Sequence, residues 1–228
     1  MAKRTYLQLC TVVHRECGIS GSAPSAVTNQ SGILDDLVNW VAEAAYEIEA
    51  FHGDWDFHWS QWSESTVAST AVYTAPSDLG EWDRDSFYLN YTADTYQKLR
   101  ALGYKEWRKR YRQGTQTNDK STLVVIQPDN SVRLWPVPDA VYTLTADYWS
   151  KPTRLAANGD YSAVPEDFER AIIELAKMKY ATDQGAPQIM GDSEVEYERW
   201  FNQLEASQWD GQKHRRIAHT ADLVVRPV

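Results

Sequence analysis

Cysteine is scarce in this 228-residue chain: Cys10 and Cys17 are the only two. They lie seven residues apart on one expected helix, roughly 10 Å along its axis. That is too far for a disulfide with each other, so the fold must stand without one and a reducing compartment fits. Long apolar runs are missing too. No stretch approaches the ~20 residues that cross a bilayer. The basic start MAKR leads into an apolar stretch broken by His14, Arg15 and Glu16, with no clean cleavage site after it, so it reads as mature protein. Positive charge is in deficit. With 23 Lys and Arg against 32 Asp and Glu, the net charge is −9, which argues against general nucleic-acid binding through phosphate neutralisation. Such acidity suits a surface that nucleic acid passes without sticking.

Catalytic signatures are also lacking. There is no G-x-S-x-G, no H-E-x-x-H and no phosphate loop, since Gly18, Gly21 and Ser22 have no Gly-Lys-Ser/Thr ending and no strand before them. Two constellations still carry ligand-type side chains. Cys10, His14 and Cys17 fall on one helix face, where thiolates and an imidazole could hold zinc, but no fourth ligand is close in sequence. Without it they read as two small buried hydrophobes and a partly exposed histidine. His52, Asp54, Asp56 and His58 could ligate a metal or do acid–base work, but a turn after a helix is rich in Asp and Gly for conformational reasons. Neither set is assigned as a catalytic or metal site, and no cofactor is implied.

What the chain does have is aromatic surface: ten Trp and thirteen Tyr. Large aromatics dominate cores and interfaces alike. Trp55, Trp59, Trp62, Trp82, Trp135, Tyr148 and Trp149 could line a sugar-stacking platform if their rings were exposed and coplanar. Otherwise they fill a β-rich core.

The periodicities predict helices at both ends and strands between. Thr5 and Gln8 form a capping-box pair ahead of a helix to Cys17. Apolar residues spaced at 3.6 predict a helix over Ile33–Phe51. Strands are expected between Phe57 and Thr74, over Ser86–Thr92, and as three runs from Ser121 to Trp149. The segment from Gln97 to Leu102 has a helix-favouring composition but is read as a short strand before a helix at Lys105–Arg112. Further helices are expected from Pro165 to Asp183, with Phe168, Ile172, Leu175 and Met178 inward, and from Ser193 to Ser207, carrying Val195, Tyr197, Trp200, Phe201 and Leu204. This segregated order predicts an α+β fold. Residues 1–54 and 153–207 would form a helical bundle, 55–152 an inserted antiparallel β-module, and 208–228 an extended tail.

The stretch RLWPVPDAVYTLTADYW, Arg133–Trp149, reads as a hairpin turning at PVPDA. Val132, Leu134, Tyr142, Leu144 and Ala146 would face the core. Arg133, Trp135, Thr143, Thr145 and Asp147 would face the other way, toward a neighbouring subunit or a tail protein. On the helix KEWRKRYR, Trp107 and Tyr111 point inward, leaving Lys105, Arg108, Lys109 and Arg112 to meet acidic surface on a partner. In the tail, Lys213, His214, Arg215 and Arg216 form a second basic cluster. Leu223, Val224 and Val225 could add a strand to a partner's sheet.

Several segments together resemble one known family. They are TYLQLCTVVHRECGISG, the helix from Ile33 closing on GDWDF, DRDSFYL, YKEWRKRY, IQPDNSVRLWPVPDAVYTLTADYWSKP and VPEDFERAIIELAKMKYA. In this order they are similar to the head-to-tail adaptor proteins of tailed bacteriophages. The resemblance implies a non-catalytic virion protein, assembled in the bacterial cytoplasm, that forms a ring of twelve copies beneath the portal. Such a ring extends the channel for genomic DNA, which passes without specific binding, and offers a platform to tail or nozzle proteins. Portal would take the tail segment, with Arg215 and Arg216 on acidic groups and Leu223–Val225 in strand pairing. No membrane is implied. The competing readings are a Trp-rich carbohydrate-binding or tail-associated module and a metal-dependent hydrolase around His52–His58.

Overall fold

A computed structural model describes residues 2–92, 95–114 and 116–208. In chain order, the helices α1 (Tyr6–Glu16) and α2 (Ile33–Phe51) come first. The strands β1 (Trp59–Ser65), β2 (Val72–Tyr73), β3 (Leu79–Trp82), β4 (Tyr88–Thr92), β5 (Thr95–Lys98) and β6 (Arg100–Leu102) follow. Then come α3 (Tyr104–Arg110), β7 (Leu123–Ile126), β8 (Val132–Trp135), β9 (Thr143–Ser150), α4 (Glu169–Gln184) and α5 (Pro187–Gln208). The fold is α+β, as the periodicities predicted. The described chain divides into two compact units, one of residues up to Phe57 and from Pro152 to Gln208, the other of His58–Lys151.

The helical unit is built from amphipathic faces. Thr5 caps α1: its hydroxyl accepts from the Gln8 amide at 3.3 Å while the Gln8 side chain accepts from the Thr5 amide at 2.9 Å. Leu9, Cys10 and Val13 of α1 meet Leu37, Val41, Ala44, Ala45 and Ile48 of α2 in one buried cluster, completed by Ile172 and Ala176 of α4 and Leu204 of α5. The buried face of α4 differs from expectation. Ala171, Ile172, Ile173 and Ala176 are buried, whereas Phe168, Leu175 and Met178 are only partly so. The helix is rotated because Glu169 and Glu174 also go inside, each held by ion pairs. Gly185 closes α4 in the left-handed conformation at φ 61°, and α5 begins six residues earlier than the periodicity suggested.

Two buried carboxylates tie the N-terminal segment and the loop before α4 to this bundle. Glu169 accepts from the Arg4 amide at 2.7 Å and from its guanidinium at 3.3 Å. Glu49 accepts from the Ser162 hydroxyl at 2.6 Å and the Ala163 amide at 2.8 Å. Glu16 and Glu174 share Arg170 and Lys177, which binds α1 to α4. Burial alone would raise the Glu16 pKa, but Arg170 and Lys177 outweigh it and hold this carboxyl below the usual range.

The second unit contains two sheets around a shared core. One runs β1-β9-β4-β5, with β3 also on β9; the other runs β2-β8-β7-β6. Trp62, Trp82, Phe87, Leu89, Val124, Leu134, Leu144 and Tyr148 fill the space between. Trp82 is the hub: its ring lies 5.2 Å from Trp62, 5.3 Å from Phe87 and 5.8 Å from Tyr148, and its indole N–H donates to the Asn130 carbonyl at 3.1 Å. Two expectations need correction. The module is not wholly antiparallel, because β6 lies parallel to β7. The Arg133–Trp149 stretch is not a hairpin. β8 pairs with β2 and β7 in one sheet, and β9 with β1, β3 and β4 in the other. Pro136 and Pro138 cannot donate to a ladder, so the chain leaves β8 and crosses to the other sheet. On the way Val137 bonds with Thr117 and Asp119, and the Pro138 carbonyl with the Ser69 amide.

The strand β3 was not expected from LGEW. Gly80 is needed there, since a Cβ would stand 2.8 Å from the Trp149 carbonyl oxygen, inside contact distance for the β3–β9 pairing.

Candidate interaction surface

Alternation sets the two faces of β8. Val132 and Leu134 are fully buried, while Arg133 and Trp135 stand half-buried on the opposite face. The same holds for β9, where Leu144 and Ala146 are buried and Thr143 is exposed. The face assignment made for these two segments therefore survives the loss of the hairpin.

The outer face of β8 is met by α3. Trp107 and Tyr111 fall four residues apart, so they share one side of the helical turn. The Arg133 guanidinium lies 4.8 Å over the Trp107 ring, and Trp135 packs against Tyr111 at 5.3 Å. Tyr104 stacks on Trp107 at 6.1 Å. Part of the surface expected to meet a partner is thus covered by the chain's own helix. A local W-x-x-x-Y spacing opposite an R-x-W strand is the sequence signal that could have paired them.

The electrostatics of this face are one-sided. Arg133 makes no ion pair among the described residues, and its Nε is buried without a hydrogen-bond partner. Loss of solvent lowers its pKa, and the nearby Arg112 pushes the same way against Tyr104. Around it Lys105, Arg108, Lys109 and Arg112 are exposed. One cation of the segment is neutralised: Arg110 pairs with Glu106 at 2.7 Å. So the structure places Arg133 and Trp135 against the α3 segment, and leaves Lys105, Arg108, Lys109 and Arg112 exposed on and just after that helix. An open cleft of about 750 Å³ adjoins it, with Ala101, Leu102, Ile126 and Pro128 among its apolar walls and Arg84, Asp85 and Lys105 at its polar ones. The aromatic part of this face is largely covered, with Trp107 buried and Tyr111 and Trp135 half-buried against each other. The tail residues Lys213, His214, Arg215, Arg216, Leu223, Val224 and Val225 lie outside the described residues.

The other constellations are dispersed or buried. Cys10, Cys17 and His14 sit in the helical core, and burial pushes the two thiols up to about 12 and about 11. His52 is 2.7 Å from Glu205, and His58 is 3.2 Å from the Ser150 hydroxyl. Among the described residues no group of three His, Cys, Asp or Glu side chains could hold a metal. The rings considered for sugar stacking are mostly inside: Trp55, Trp62, Trp82 and Tyr148 are all buried, although Trp59 is half exposed. Among the described residues no helix is long and apolar enough to cross a membrane.

A family model described as SU10 adaptor protein matches residues 4–224. The chain belongs to the SU10 adaptor protein family. It is therefore a bacteriophage adaptor protein, as the ordered segments suggested. No curated protein matches the chain.

Proposed function

We propose that this adaptor is a structural virion component at the head-to-tail junction. Copies form a ring, twelve by the resemblance, that docks beneath the portal, continues the DNA channel and receives the tail or nozzle proteins. The observation that carries this reading is the family match over residues 4–224. The α3–β8 surface supports it, because rim cations steer and orient protein partners more than they add raw affinity. The net charge of −9 supports a channel wall that repels DNA. The role is non-enzymatic, assembly takes place in the host cytoplasm, and genomic DNA passes without specific binding. The helical segments to residue 54 and over 153–207 act as one bundle carrying the β-module of 55–152, and residues 208–228 reach for portal.

Two results test this division of labour. Removing residues 209–228 is expected to abolish co-sedimentation with portal oligomers, since Arg215, Arg216 and Leu223–Val225 provide that contact; normal co-sedimentation would refute the tail's role. Replacing Trp135 by alanine removes the ring that Tyr111 packs on and loosens α3. Ring formation on portal is expected to weaken about tenfold, and an unchanged assembly curve would count against a subunit interface at β8.

A further inference from the structure

The net charge is divided unevenly. Residues 58–151 contain eleven basic and eleven acidic side chains, so the whole −9 lies in the rest of the chain. Within the helical unit many charges already find partners. Glu43 and Glu47 pair with Arg154 and Lys179, Glu16 and Glu174 with Arg170 and Lys177, and Glu169 with Arg4. Asp35 and Asp36 occupy the first turn of α2, where the helix dipole favours them.

Two helices keep unpaired charge of opposite sign. On and just after α3, Lys105, Arg108, Lys109 and Arg112 are exposed and make no hydrogen bond or ion pair among the described residues. Lys105 and Lys109 are four apart, as are Arg108 and Arg112. On α5, Glu194 and Glu198 are exposed and likewise unpaired among the described residues, and they too are four apart. Like charges at this spacing destabilise a helix, so Lys105 with Lys109 and Glu194 with Glu198 cost local stability without an intramolecular return. Beside Glu194, Val195 is 67% exposed.

We infer that α3 of one copy docks on α5 of the next copy in the ring, its cations on Glu194 and Glu198 and its apolar contact on Val195. This rests on the ring reading above. The spacing fits: residues four apart on a helix are about 6 Å apart along the axis, so pairs on the two helices align side by side. The polarity fits as well. A contact between two different patches is heterologous, the class that builds a ring when its rotation closes, whereas a two-fold contact of α3 with α3 would set like charges together. Duplex DNA is the rival occupant of the cationic face.

Charge reversal distinguishes them. R108E/K109E makes α3 acidic, and E194K/E198K makes α5 basic; all four positions are exposed, so folding is retained. Sedimentation velocity of the full chain at about 100 μM in low salt reads association. Wild type is expected to associate and to dissociate as salt rises, and each variant alone is expected to associate at least about tenfold more weakly. An equimolar mixture of the two variants should recover, because every contact in an alternating assembly then joins opposite charges. No recovery in the mixture, or no salt-sensitive association of wild type, would overturn the inference. Retention of duplex DNA that is lost in R108E/K109E, without recovery in the mixture, would assign the face to nucleic acid instead. Rings imaged on portal together with any of these failures would leave the adaptor reading intact and remove only this contact.

Discussion

Lys177→Met is expected to destabilise the helical unit by about 3 kcal/mol at neutral pH, read as a fall in the denaturant midpoint. Lys177 bridges Glu174 at 2.8 Å and Glu16 at 3.3 Å, and Glu174 is 1% exposed. Removing the ammonium leaves two carboxylates sharing Arg170 alone, with one negative charge uncompensated away from water. The same network gives a pH dependence. The folded-state pKa of Glu16 is depressed, so its contribution is present above the ordinary carboxylate value of about 4.3. It is lost as pH falls through the lower folded-state value. Wild type should therefore lose stability as pH falls below about 4.3, and K177M should lose less over the same interval. Equal midpoints at pH 7, or parallel pH profiles, would show that the network does not tie α1 to α4.

Phe87→Ala is expected to cost about 3–5 kcal/mol in the β-rich unit. Phe87 is fully buried against Trp82 and its carbonyl accepts from the Leu99 amide, so the chain around it cannot collapse into the void without disturbing β4 and β6. Hydrogen exchange should accelerate first in β4 and β9, which pair through Leu89 and Leu144. Protection left as in wild type would place the centre of this core elsewhere.

The helices were the most legible part of the sequence. The apolar stripe from Ile33 to Phe51 gave α2 its observed limits, and the Thr5–Gln8 pair gave α1 its start. Both signals are local: a cap and a 3.6-residue period need nothing from distant chain. The rotation of α4 was hidden because Glu174 reads as solvent-facing until Lys177 and Arg170 are seen around it. Alternation gave β8 and β9 their faces but not their partners, since period two says which side a residue faces and nothing about the neighbouring strand. The two prolines after Trp135 were read as a turn. They mark the crossing between sheets. LGEW was silent as a strand because its pairing depends on a glycine fitting beneath the Trp149 carbonyl. Of the interaction surface, the cations of KEWRKRYR were plain in the sequence. Their assembly with Arg133 and Trp135 was not, because it depends on α3 folding back over β8.

One measurement bears most directly on the claim that this adaptor is built to join copies of itself to the capsid exit: imaging, by electron microscopy, of the full chain mixed with the portal protein of its own phage. The account predicts a second ring stacked coaxially on portal, with a continuous bore and density for one copy per portal subunit. Portal rings left bare beside single dispersed copies, at concentrations well above those in an infected cell, would contradict it.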